Sequence, residues 1–167
     1  MKRFLRKIIK KKKLNDVDHN IVLDIPEPFI EEYDLRDKEV TITIPPANNG
    51  KHLICDDASS NRMVLRRYLE QYKCIVEESE NGLEAIDKVK DNGEYRIIWM
   101  DIKMPKMDGL KCTKILRDEV GYKGAIIALT GYVDEITVKQ CFEQGMNHVV
   151  PKPFDKAIIY SYCEKYN

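Results

Sequence analysis

The chain has 167 residues, 43% of them hydrophobic, with 28 Lys and Arg balanced by 28 Asp and Glu. That suits one soluble domain with an appendage. No apolar run approaches the roughly 20 residues of a membrane span, and no apolar stretch of a secretory signal follows the basic N-terminus. The five cysteines (Cys55, Cys74, Cys112, Cys141, Cys163) are scattered, odd in number and without a C-x-x-C pair, which reads as reduced, intracellular (cytoplasmic) thiols and not as a disulfide frame or zinc site.

The charge is balanced only in sum. Residues 2–13 carry eight Lys or Arg and no acid. Within residues 1–14, Phe4, Leu5, Ile8 and Ile9 share one helical face, so this is a basic amphipathic arm. Two readings stand: contact with an anionic membrane surface or nucleic acid, or a solvated terminal arm. Residues 15–50 contain Pro26, Pro28, Pro45, Pro46 and Asn48-Asn49-Gly50, the composition of a linker. One alternating island at 39–44 predicts a strand.

From residue 51 a regular alternation sets in. Strands are predicted at 52–56, 74–78, 96–100, 125–129 and 148–150. Helices are predicted near 60–72, 82–90, 109–119, 134–144 and 155–166. In the first helix Val64, Leu65, Tyr68, Leu69 and Tyr72 recur at helical spacing and are assigned to the core. Strand–helix alternation with short loops argues for an α/β fold, a doubly wound parallel sheet.

In such a sheet the carboxyl ends of the strands share one edge, where ligands bind. The first strand ends at Asp56-Asp57, the third runs into Asp101, the fourth into Thr130, and the fifth into Lys152-Pro153. Asp101 alone could equally be a solvated cap of the following helix. As a set, these residues are a candidate site. Clustered carboxylates repel and raise one another's pKa unless a cation intervenes, and a hard divalent ion, Mg²⁺, resolves the conflict. An ammonium and a hydroxyl then complete a pocket for a phosphoryl group.

The stretches ICDDASSNRMVLRRYL, MDIKMPKMDG, IIALTG and PKPF, in this order, resemble the receiver domain of response regulators, especially receivers attached to hybrid sensor histidine kinases. The resemblance covers residues 51–167. It implies a five-stranded flavodoxin- or CheY-like sheet with strand order 2-1-3-4-5. It further implies that Asp101 accepts phosphate from a phosphohistidine, and that Mg²⁺ is held by Asp57, Asp101 and the Lys103 backbone carbonyl, with Asp56 acting largely through water. Thr130 and Lys152 would hold the phosphoryl oxygens, and the Lys152–Pro153 peptide would be cis. The implied partners are a histidine kinase or histidine phosphotransfer protein and a protein output partner, with a homodimer also allowed. The family is a phosphorylated signalling domain and not a classical enzyme. TITIPP, just ahead of this region, resembles the last strand of a histidine-kinase ATP-binding domain, but that domain's glycine-rich and asparagine motifs are absent, so no kinase activity follows.

The chain departs from the family pattern at a few positions. Val149 stands where the family usually has Tyr or Phe, so the aromatic rotamer switch is missing or altered. Lys103 and Tyr132 occupy positions that tune phosphate lifetime, and Pro151 precedes the lysine. His148 reads as a loop-edge residue. Two rival functions use similar residues or the same fold. A haloacid-dehalogenase-type phosphohydrolase uses similar groups, but its nucleophile follows the first strand as D-x-D, and here the acidic pair comes first. A phosphorylation-independent binding module would not need the intact acidic pair, acceptor, threonine and lysine. No helix-turn-helix pattern precedes the receiver-like region.

Overall fold

The computed structural model describes residues 50–131 and 133–166. The basic arm at 1–14, the linker, the strand expected at 39–44 and Tyr132 lie outside the described residues. Among the described residues the order is β1 (Lys51–Cys55), α1 (Ser59–Gln71), β2 (Ile75–Ser79), α2 (Gly82–Asn92), β3 (Ile97–Asp101), α3 (Gly109–Asp118), β4 (Ala125–Thr130), α4 (Glu135–Glu143), β5 (His148–Pro151) and α5 (Lys156–Lys165). The five strands form one sheet in the order β2-β1-β3-β4-β5, with every pair parallel. This is the doubly wound, flavodoxin-like α/β fold expected, with element ends within a few residues of the predicted ones.

Alternation along the strands builds two cores. Leu53, Cys55, Ile98, Met100, Ile126 and Ala128 point to one face, where α2 and α3 add Ala85, Ile86, Val89, Cys112 and Leu116. Ile54, Ile97, Trp99, Ile127 and Leu129 point to the other, where α1 adds Leu65 and Leu69, Tyr72 follows just past its end, and α5 adds Ile159 and Tyr160. The central strands β3 and β4 are buried along their whole length, as strands covered on both faces must be. Val64 was expected in this core and is instead exposed. The inward stripe of α1 runs through Arg62, Leu65 and Leu69, and Val64 lies off it by helical geometry.

Polar side chains fix where the helices begin. Asn81, Asp108, Asp134 and Asp155 each accept a hydrogen bond from the backbone N–H three residues on, satisfying a donor the helix itself cannot. No helix among the described residues is long and apolar enough to cross a membrane.

Candidate functional site

The carboxyl edge of the sheet gathers the predicted residues. Asp101 is the last residue of β3 and Thr130 the last of β4, while Asp56-Asp57 follow β1 and Lys152 follows β5. The Lys152–Pro153 peptide is cis, and the Lys152 N–H donates to the Thr130 carbonyl at 2.7 Å. The lysine side chain is directed inward. Its Nζ lies 2.6 Å from Asp56 Oδ2 and 3.1 Å from Asp101 Oδ2. One ammonium thus bridges two buried carboxylates, the arrangement that makes burying them tolerable.

Asp56 is the most constrained of the three acids. Beyond Lys152, its Oδ1 accepts from the Ala58 N–H at 2.9 Å, and both its oxygens accept from Asn61 Nδ2 at 3.1 Å. Ala58, the N-cap position of α1, has no side-chain cap of its own, and Asp56 takes up its backbone N–H from two residues upstream. Asp57 is exposed. One oxygen from each of Asp56, Asp57 and Asp101 falls within 4.8 Å of the others.

Burial holds the Asp101 carboxyl above the usual carboxylate range; the nearby Lys152 opposes this and Asp56 adds to it. A divalent cation would favour the charged form, so the donor chemistry fits a hard metal. The set offers oxygen ligands only, two of them fixed, with an exposed side where water can complete the shell as Mg²⁺ prefers. Lys103 sits in the turn two residues past Asp101.

That turn is held against the strand end. The Gly109 N–H donates to the Ile102 carbonyl at 2.9 Å, and a Cβ at Gly109 would lie 2.1 Å from the Asp101 carbonyl oxygen. Glycine is required here by close approach. Lys106, at φ 63°, makes the left-handed bend between Pro105 and the helix.

Two residues that sequence reasoning did not single out complete the site. Asn61 orients Asp56, as above. Arg62 is buried, and its Nη1 donates to the Asp56 and Asp57 carbonyls at 2.8 and 3.2 Å. Its other nitrogens bind Glu78 at 3.1 Å and Glu80 at 2.7 Å. The guanidinium thus clamps the backbone of the acidic pair to the end of β2. The available signal was their place in the first turn of the helix that follows the pair, which brings them back over the strand end. His148 stays out of the pocket: its Nε2 is 2.7 Å from the Tyr166 hydroxyl, and its ring packs on Tyr162. Val149 is half-buried against the core beneath α2 and α3.

Comparisons with known proteins agree with this geometry. The family model described as Response regulator receiver domain matches residues 53–164. The chain is 39% identical over 125 residues to the osmosensing histidine protein kinase SLN1 of Saccharomyces cerevisiae, covering 70% of this chain and 10% of that protein. It is 32% identical over 130 residues to hybrid signal transduction histidine kinase A of Dictyostelium discoideum, covering 75% of this chain and 6% of that protein. The chain therefore spans about a tenth or less of the length of these two relatives. Among solved structures, the chemotaxis protein CheY4 of Vibrio cholerae superposes with a TM-score of 0.66 at 25% identity, over 71% of this chain and 98% of that one. With its 2-1-3-4-5 parallel sheet and its carboxylate–lysine edge, the chain belongs to the response-regulator receiver domain family of two-component systems.

Proposed function

We propose that residues 51–167 act as a phospho-acceptor receiver in a phosphorelay, with Asp101 taking a phosphoryl group from a phosphohistidine. The observation that carries this is Lys152 Nζ, held 3.1 Å from Asp101 and 2.6 Å from Asp56, at a strand edge where Thr130 also ends its strand. An Asp101 oxygen attacks phosphorus, the P–N bond breaks, and the imidazole nitrogen leaves and takes up a proton, giving an acyl phosphate. Lys152, already oriented by Asp56, is placed to neutralise charge developing on the phosphoryl oxygens, and the Thr130 hydroxyl to donate to one of them. Asp56, Asp57, Asp101 and the Lys103 carbonyl would hold Mg²⁺, which supplies the positive charge that lets carboxylates and phosphoryl oxygens share one pocket. Catalysis of this kind is positioning, which is what Asn61 and Arg62 contribute.

The relatives support a reading of the partners. A histidine kinase or histidine phosphotransfer protein would donate, and a protein would read the output. The arm at 1–14 would add electrostatic contact with an anionic surface, lost as salt rises. The test is beryllofluoride, a phosphoryl mimic. It should bind wild type in a Mg²⁺-dependent way and fail with Asp101→Asn, and Asp57→Ala should weaken Mg²⁺ binding strongly. Equal beryllofluoride binding by wild type and Asp101→Asn would defeat the assignment.

A further inference from the structure

At the opposite edge of the sheet, three residues that the sequence scatters come together. His52 lies near the start of β1, Cys74 just ahead of β2, and Cys163 in the last turn of α5. All three are buried: His52 is 0% exposed, Cys163 2% and Cys74 7%. A ring nitrogen and both sulfurs lie within 4.8 Å of one another. From this geometry we propose that Cys74 and Cys163 form a reversible thiol–disulfide pair, with Cys74 the thiolate that meets a hydroperoxide and Cys163 the thiol that resolves it.

The histidine's tautomer separates this from a metal site. Trp99 Nε1 is 3.2 Å from His52 Nδ1, and an indole nitrogen can only donate. Nδ1 is therefore the acceptor, and in the neutral ring the proton sits on Nε2. A metal bound through Nε2 would need that proton moved to Nδ1, against the Trp99 N–H. The Nε2–H remains as a donor, and a His52 ring nitrogen lies within 4.8 Å of both sulfurs. The hydrogen bond from Cys163, followed by that from His52, draws the Cys74 thiol below its ordinary range against the cost of burial. Cys163, the donor in that bond, is held up. Burial, with nearby negative charge adding to it, pushes the remaining thiols, Cys55, Cys112 and Cys141, up. One sulfur is thus favoured as the thiolate, with a partner thiol beside it.

The chemistry balances with hydrogen peroxide as oxidant. The Cys74 thiolate attacks the O–O bond, giving a sulfenic acid and hydroxide, which takes up a proton to become water. The Cys163 sulfur then displaces the sulfenic oxygen as a second water. Two thiols are oxidised to one disulfide, one peroxide is reduced, and a dithiol restores the pair. The cross-link would tie the chain ahead of β2 to the end of α5.

The test uses the full chain, reduced and freed of metal, treated with a few equivalents of hydrogen peroxide. Peptide mapping should find a Cys74–Cys163 cross-link, with an intact mass lower by about 2 Da that dithiothreitol reverses. Cys163→Ser should instead leave Cys74 as a sulfenic acid captured by dimedone, and Cys74→Ser should give neither product. The proposal fails if wild type shows Cys74 oxidised no faster than Cys112. It also fails if Zn²⁺ is retained through gel filtration and protects Cys74 and Cys163 from alkylation, which would make the cluster a metal site.

Discussion

Gly109→Ala tests how closely the end of β3 is built against α3. The added Cβ would sit 2.1 Å from the Asp101 carbonyl oxygen, 2.9 Å from Met100 Cγ and 3.0 Å from the Asp101 carbonyl carbon. Two of these neighbours are backbone, so no flexible side chain can yield. Even a tight 3.0 Å contact with the oxygen requires the strand end and the helix start to part by about 1 Å, against the Gly109–Ile102 hydrogen bond. Overpacking of this kind costs about 1–3 kcal/mol, and the lower unfolded-state entropy of alanine returns about 0.4–1 kcal/mol. The net loss is then about 1–2 kcal/mol, a Tm lower by roughly 4–10 °C for a domain of this size. Urea and thermal unfolding measure it. Because the displaced oxygen belongs to Asp101, Mg²⁺ affinity should fall in the same variant. Gly131→Ala, where a Cβ would meet nothing within 4 Å, serves as the comparison and should be near neutral in stability. A Gly109→Ala protein with wild-type Tm and Mg²⁺ affinity would refute the reasoning.

Arg62→Ala removes the clamp on the Asp56 and Asp57 carbonyls and leaves Glu78 without one of its cations. A loss of about 2–4 kcal/mol is expected by denaturant unfolding, and Arg62→Lys should recover little of it because one ammonium cannot reproduce the fork. Burial, with Lys165 adding to it, pushes the His148 imidazole down from 6.5 to about 4. The unfolded chain therefore binds the proton first, so stability is complete above pH 6.5 and falls as pH drops towards 4. The loss is about 1–2 kcal/mol once solvent screening at this half-buried position is allowed for, and His148→Gln should flatten that window in pH-resolved unfolding curves. Val149 has no ring to swing and is stiff at χ1, so beryllofluoride should give NMR shifts concentrated around Asp101, Thr130 and Lys152. A rearrangement over 134–150 as large as in Val149→Tyr would contradict this.

The sheet was legible because its strands are bounded sharply. Ile97–Met100 and Ala125–Leu129 are apolar runs that end on chemistry, and polarity stops a buried strand. The site followed from topology, since parallel strands put Asp56, Asp101, Thr130 and Lys152 on one edge. Arg62 was not legible: a charged residue early in an amphipathic helix reads as solvent-facing until the partners that justify burying it, two carbonyls and Glu78, are known. For the same reason Val64 was taken for core. The cysteine reading rested on sequence spacing, which is blind to Cys74 and Cys163 meeting where α5 packs beside α1. Chain order predicts which residues share a strand edge. It does not predict which residues meet where a helix returns.

The central claim is that Asp101 is the phospho-acceptor. Intact-mass analysis after incubation with acetyl phosphate, with and without Mg²⁺, tests it most directly. On the proposed role of the metal, wild type should gain one phosphoryl group, about 80 Da, only with Mg²⁺. Borohydride trapping and peptide mapping should place it on Asp101, and Asp101→Asn should gain nothing. An Asp101→Asn protein phosphorylated as readily as wild type, or a wild type that takes up phosphate equally without Mg²⁺, would contradict the account.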